Sequence, residues 1–192
     1  LGEATARHFA ESGAQVTILD RDAERGKAVA ADIGGHFAET DVTDEDSVAA
    51  AIALAMDKMG KITACVSCAG IAFGIKTVGK EGPHPLDAFK RTLDINLAGT
   101  FNVSRLAAVE IAKNEPESDG ARGVIINTAS IAAFDGQKGQ AAYSASKGGV
   151  VGLTLPMARD LASTGIRVMT IAPGIFMTPM LAGLPEDVQK QL

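Results

Sequence analysis

The sequence predicts a doubly wound α/β fold, a parallel sheet with helices on both faces, and three observations carry the prediction. Short β-rich runs alternate with longer helical stretches along the whole chain. Those runs are continuously apolar, as strands covered on both faces are, where a half-exposed strand would alternate. The chain's 192 residues, 46% hydrophobic and 21% charged, suit a single soluble domain with a sizeable core.

The first residues, LGEATARHFAESG, read as the inside of a helix over residues 2 to 12. With no Met at position 1, the chain is expected to begin partway through a domain, with any targeting peptide out of sight. AQVTILD follows as a strand, and Asp22 caps a helix over 22 to 32. HFAET is the next strand, after which Asp44 caps a helix over 44 to 59. ITACVSC, GVIINTAS and IRVMTIA complete the strands, separated by helices over 86 to 113 and 142 to 163. Pro156 predicts a kink or break in the last helix, because its ring removes a donor and crowds the preceding turn. Residues 71 to 85 and 113 to 123 are rich in Gly, Pro and charge and read as surface excursions, so one domain spans 1 to 192.

A net charge of -5 and a pI near 5.2 argue against nucleic acid as the main partner, since phosphate binding wants a basic face. The longest apolar runs, such as ITACVSCAGIAF, fall short of the roughly 20 residues that cross a bilayer, so no membrane association is expected. Cys65 and Cys68 have redox-pair spacing, but in a strand residues three apart face opposite sides. His8, His36 and His84 stand far apart and complete no ligand shell, so no metal is expected. Two reduced thiols fit the cytoplasm, or the mitochondrial matrix in a eukaryote. A small molecule is the expected partner.

In such a fold ligands lie outside the carboxyl ends of the strands. Asp20 ends the first strand eighteen residues after Gly2, where a carboxylate binds adenosine ribose hydroxyls and repels a 2′-phosphate, favouring NAD over NADP. From the residues alone it fits a solvated loop acid equally well. Leu1 and Gly2 are all that is present of a glycine turn. Asp41 is the acid left over once capping is assigned and is a candidate for the adenine amino group. Ala69 and Gly70 remove bulk at the end of the third strand, for a ligand or for a tight turn.

AAYSASKGG, residues 141 to 149, holds the chain's one tyrosine. Tyr143 and Lys147, at i and i+4, share a helical face, and side chains lean toward the helix N-terminus, so the ammonium reaches the phenol. A tyrosine with its ordinary pKa of about 10 is a poor proton carrier at neutral pH. A cation about 4 Å away, at an effective dielectric of about 20, favours phenolate by roughly 4 kcal/mol, about a thousandfold in acidity. A phenol tuned in this way acts as a general acid or base. Ser130 ends a strand thirteen residues earlier and brings a hydroxyl to the same rim, where it steadies an oxygen passing between carbonyl and alcohol. The bland counterpart is a Tyr and Lys pair on a surface helix. Gly148, Gly149 and Gly152 count against that, since each costs about 1 kcal/mol in a helix interior and calls for close approach of a backbone or ligand.

Together NTAS, the interval from Ser130 to Tyr143, Y-x-x-x-K and APGIFMTPM after a strand resemble the short-chain dehydrogenase/reductase family, with its Rossmann-type fold, over essentially the whole chain. The resemblance implies that Tyr143 is the general acid/base, that Lys147 lowers its pKa and holds the nicotinamide ribose, and that Ser130 binds the reacting oxygen. Asn96, in LDINLAGTFN, resembles the asparagine that holds a proton-relay water. Asp20, Asp41 and Val42 resemble ribose and adenine contacts, and Pro173, Gly174, Phe176 and Thr178 the nicotinamide-side loop. The family's Asn-Asn-Ala-Gly stands here as Ser67, Cys68, Ala69 and Gly70. By the same resemblance, the first strand is expected ahead of Leu1 and a last strand and helix beyond Leu192.

CAGIA, GTFNV, NEP, GQAAYSASKGG and GIRVMTIAPG are similar to the 3-hydroxyacyl-CoA dehydrogenase (type 2) branch. That branch implies reversible oxidation of a (3S)-hydroxyacyl-CoA with NAD in a homotetramer packed through the long helices. A 3-oxoacyl-carrier-protein reductase, another secondary-alcohol or hydroxysteroid dehydrogenase, and a non-catalytic dinucleotide sensor are the alternatives. Asp20 counts against the first, and the intact Ser130, Tyr143 and Lys147 against the last.

Overall fold

The computed structural model describes residues 1–178 and residue 182. Helix α1 (Gly2–Glu11) leads to β1 (Thr17–Asp20), α2 (Ala23–Asp32), β2 (His36–Glu39), α3 (Glu45–Met59) and β3 (Ala64–Ser67). A small hairpin, β4 (Val78–Gly79) and β5 (Gly82–Pro83), precedes α4 (Leu86–Leu93), a π turn (Asp94–Ala98) and α5 (Gly99–Ile111). β6 (Gly123–Thr128), a 3₁₀ turn (Ile131–Ala133), α6 (Ala141–Leu161), a second 3₁₀ turn (Ala162–Thr164) and β7 (Ile166–Ile171) follow. Asp22 and Asp44 cap α2 and α3 as read from sequence, the first accepting from Arg25 N and the second from Asp46 N and Ser47 N.

β1 pairs in parallel with β2, and β6 lies between β3 and β7, again in parallel. The continuous sheet that the sequence predicts is thus divided in two among the described residues. The sequence reading puts one more strand ahead of Leu1, and no described strand joins the two groups. The loop over 71 to 85 is a largely exposed surface excursion, as read from the sequence. Its middle folds back as the β4–β5 hairpin, with Gly82 at φ 127, a conformation that glycine adopts freely.

The apolar faces of α3 (Val48, Ile52, Ala55) and α5 (Val103, Ala107, Ile111) meet Ile125 of β6 and Ile166 and Val168 of β7 in one core. The alternate residues of β7, Met169 and Ile171, are half exposed, so among the described residues this strand is covered on one face only.

Two helix expectations need correction. Pro156 does not break α6, which runs on through it. Both Pro156 and Gly152, whose carbonyl loses its i+4 donor there, are exposed, which leaves that carbonyl open to solvent. Of the three helix glycines, only Gly149 answers to close approach: a Cβ there would lie 2.6 Å from Leu97 Cδ2. Gly148 meets nothing nearer than 3.9 Å and Gly152 nothing within 4 Å. Gly149→Val is therefore expected to destabilise the protein by about 1–3 kcal/mol through overpacking against the π turn, as read by urea denaturation, and Gly152→Val by much less.

Candidate active site

β3 and β6 end side by side, Ser67 opposite Asn127, and their carboxyl ends deliver Cys68 to Gly70 and Ser130 to one rim. α6 crosses this rim with its second turn. Lys147 is 5% exposed and its Nζ donates to Thr128 O at 2.7 Å. Burial pulls its pKa from 10.5 to about 8, with Cys68 acting in the opposite direction. The same nitrogen lies 5.8 Å from the centroid of the Tyr143 ring. Tyr143 is half-buried, and no described residue hydrogen-bonds its hydroxyl.

Ser130 caps the 3₁₀ turn, its Oγ accepting from Ala132 N at 3.2 Å. That bond uses a lone pair and leaves the hydroxyl proton for another acceptor. The neighbouring Ile131 N donates to Pro173 O at 3.0 Å, which fastens the loop after β7 to the Ser130 turn. Gly174 and Phe176 of that loop are exposed, the latter 55%, while Pro173 and Thr178 are half-buried. Pro179, Met180 and the rest of the apolar stretch to residue 185, Ala182 apart, lie outside the described residues.

Asn96, fully buried, sits at the centre of the π turn. Its Oδ1 accepts from Ile71 N at 2.8 Å, and its Nδ2 donates to Ile71 O at 2.9 Å and to Ser146 Oγ at 3.0 Å. Its own carbonyl accepts from the Thr100 hydroxyl at 2.8 Å. A Cβ on Gly70 would lie 3.2 Å from Asn96 Oδ1 and 3.6 Å from Lys147 Nζ, which places the bare glycine against both side chains.

Asp20 and Asp41 lie at the ends of β1 and β2, the other sheet. Both also do local turn work: Asp20 accepts from Asp22 N at 2.9 Å, and Asp41 accepts from the Thr43 hydroxyl and N–H at 2.7 and 2.9 Å. The Thr43 hydroxyl, then its N–H, hold the Asp41 carboxyl below the usual carboxylate range. Asp41 is thus not an acid left over from turn capping, although its second oxygen keeps only a 3.8 Å approach to Arg21. α5 packs against the end of β2. Gly99 lies against Val42, where an added Cβ would meet Val42 Cγ2 at 2.5 Å, and Asn102 Nδ2 donates to Val42 O at 3.0 Å. Cys68 backs onto α1, its Cβ 3.3 Å from where a Cβ on Gly2 would stand, and Leu1 precedes it, exposed. A cleft of about 750 Å³ opens beside Arg21, Asp41 and Val42 and extends to Arg91, Phe101 and Arg105.

Three contributors are missing from the sequence reading: Thr128, Asn102 and Ser146. Ser146 alone had a signal, since a serine inside a helix back-bonds to a preceding carbonyl, and its Oγ donates to Tyr143 O at 2.7 Å.

Residues 1–189 match the family described as short chain dehydrogenase. This chain belongs to that family. The chain is 57% identical to 3-hydroxyacyl-CoA dehydrogenase type-2 of Homo sapiens over 98% of its own length and 74% of that protein's. It is 54% identical to the protein of that name from Drosophila melanogaster, over 98% of this chain and 76% of the other. The crystal structure of 3-hydroxyacyl-CoA dehydrogenase type-2 from Mycobacterium avium superposes with a TM-score of 0.90 at 46% identity, covering 97% of this chain and 74% of that one. The short-chain dehydrogenases are oxidoreductases that use a nicotinamide dinucleotide on a CH–OH group, and this chain is one of them. The residues present fit such a cofactor. Gly70 keeps the backbone clear beside Lys147, and Asp20 is exposed with one carboxylate oxygen unused by its turn. No described helix is long and apolar enough to cross a membrane.

Proposed function

We propose that this dehydrogenase interconverts a 3-hydroxyacyl-CoA and the corresponding 3-oxoacyl-CoA, with NAD as its coenzyme. The observation that carries the reading is the buried Lys147 ammonium, anchored on Thr128 O and facing the Tyr143 ring beside the open Cα of Gly70. The names of the relatives at 54–57% identity supply the substrate class.

Lys147, Gly70, Cys68, Asp20, Asp41 and Val42 would hold the dinucleotide, with Leu1 and Gly2 on its phosphate side and the loop from Pro173 through Phe176 to Thr178 over its nicotinamide. When bound, it supplies the hydride acceptor for C3 of the substrate. Tyr143 takes the proton of the C3 hydroxyl during oxidation and returns it during reduction. Ser130 donates its remaining hydrogen to the same oxygen, holding it as its charge changes. Lys147, anchored on Thr128 O and 5.8 Å from the centroid of the Tyr143 ring, would hold the nicotinamide ribose beside the phenol, and Asn96 fixes the turn from which protons are exchanged with solvent.

Asp20 supports NAD over NADP, because a carboxylate at the ribose repels a 2′-phosphate. A homotetramer is supported by the exposed apolar faces of α5 and α6, where Phe101, Val109 and Leu155 are 43%, 55% and 55% exposed. The two free thiols support a reducing compartment, cytoplasm or matrix.

The test is a steady-state comparison in the full-length protein. Acetoacetyl-CoA with NADH is expected to exceed the carrier-protein thioester, and NADH to exceed NADPH, each by at least about tenfold in kcat/KM, some 1.4 kcal/mol of transition-state preference. A preference for the carrier-protein thioester and NADPH would assign the chain to the reductases instead.

A further inference from the structure

Tyr143 through its carbonyl and Asn96 through its amide meet one buried hydroxyl, and Lys147 is the residue that follows it in the chain. Ser146 lies between Tyr143 and Lys147 in sequence but on the inner face of α6, with no exposed surface. Its Oγ donates to Tyr143 O at 2.7 Å and accepts from Asn96 Nδ2 at 3.0 Å. A hydroxyl has one hydrogen, and here it is committed to the Tyr143 carbonyl, so only a lone pair faces Asn96. That settles which way the Asn96 amide points. With Nδ2 toward Ser146, its second N–H meets Ile71 O and its Oδ1 meets Ile71 N. Turned over, the amide would set an NH₂ against the Ile71 N–H and an oxygen against a lone pair of Ser146. The hydroxyl therefore joins the first turns of α6 to Asn96 of the π turn, which in turn holds the chain leaving β3 through Ile71.

We propose that Ser146 is a positioning residue for the reaction, holding the catalytic turn of α6 in register with Asn96 so that Tyr143 and Lys147 meet substrate and cofactor in one fixed geometry. The proposal rests on the oxidoreductase reading above. Ser146 touches neither substrate nor cofactor in it. Misplacement of a reacting group by about 1 Å can cost about a hundredfold in rate. Asp20, Asp41 and Val42, which hold the other end of the dinucleotide in the proposed function, lie outside this coupling, so the loss belongs in kcat, with binding largely spared.

The experiment compares Ser146→Ala and Ser146→Thr with wild type in the full-length enzyme, using acetoacetyl-CoA and NADH. Ser146→Ala is expected to lower kcat by about ten- to a hundredfold, to leave the KM for acetoacetyl-CoA and the Kd for NADH within about twofold, and to move the pH at which kcat declines. Ser146→Thr, which keeps the hydroxyl, is expected to recover most of the loss. Backbone hydrogen exchange at Ile71 gives a readout independent of turnover. It is expected to quicken in the Ala variant, where Asn96 loses its anchor, and to stay slow in the Thr variant. An Ala variant with wild-type kcat and pH profile, or one whose loss follows the folded fraction alone, would overturn the proposal, as would unchanged exchange at Ile71. If wild type itself fails on acetoacetyl-CoA, the substrate reading falls. The same ratios are then read with NAD and a cyclic secondary alcohol, and the exchange measurement decides the Ser146 proposal in either event.

Discussion

Tyr143→Phe is expected to lower kcat by about 10² to 10⁴, the range that a positioned proton donor contributes, while the folded protein goes on binding NADH. The substitution removes one oxygen and leaves the ring. Because no described residue hydrogen-bonds that hydroxyl, its loss strands no buried partner, and stability should stay within about 0.5 kcal/mol of wild type. Ser130 and Lys147 keep their own anchors, Ala132 N and Thr128 O, which do not involve the phenol. Fluorescence titration of NADH alongside turnover separates the two effects. A variant that still turns over within threefold of wild type would remove Tyr143 from the chemistry. Loss of NADH binding together with turnover would make it a cofactor contact instead.

The second large effect is at Lys147, where activity and stability are expected to move in opposite directions. Burial lowers its pKa from 10.5 to about 8. At 1.36 kcal/mol for each tenfold, that fall amounts to roughly 3 kcal/mol against the charged, folded form. Below pH 8 both folded and unfolded chains hold the proton and the penalty is present in full. Between about pH 8 and 10.5 the unfolded chain holds more protons than the folded one, so this group makes stability rise with pH across that window. Lys147→Met abolishes the rise. It also loses the bond to Thr128 O, an unpaired carbonyl costing about 1–3 kcal/mol, so at pH 7 the variant should match wild type or exceed it by up to about 2 kcal/mol. Its kcat should fall at least about a hundredfold. Urea denaturation at pH 7 and pH 10 checks the sign. A Met variant that is less stable than wild type by several kcal/mol at pH 7 would mean that the ammonium is a structural asset, contrary to this account.

The parts of the molecule that could be read in the sequence are those fixed by local pattern. The five long strands announce themselves through continuous β-branched and apolar runs, and Asp22 and Asp44 through their positions just before helical periodicity. Tyr143 and Lys147 could be paired because four residues in a helix determine a shared face whatever the rest of the protein does. The features that escaped are settled by tertiary contact. Nothing in DINLA distinguishes a π turn from ordinary helix, and it is the fit of Asn96 around Ile71 and Ser146 that absorbs the extra residue. Pro156 reads as a breaker in the sequence because its cost is local, whereas its exposure, which removes much of that cost, is a property of the assembled fold. Gly152 and Gly149 look alike in the sequence for the same reason, and only packing against Leu97 tells them apart. The two halves of the sheet, and the Arg21 to Arg105 cleft between the end of β2 and α5, likewise depend on long-range placement that single-segment reading does not reach.

The most direct test follows the hydrogen. Full-length enzyme is given acetoacetyl-CoA and NADH carrying deuterium at both C4 positions, and the product is read by mass spectrometry. One deuterium bound at C3 of 3-hydroxybutyryl-CoA for each NADH consumed, with the transfer lost in Tyr143→Phe, is the result predicted. NADH that binds yet remains unconsumed with every thioester and carbonyl offered, or a product with only solvent hydrogen at C3, would contradict it.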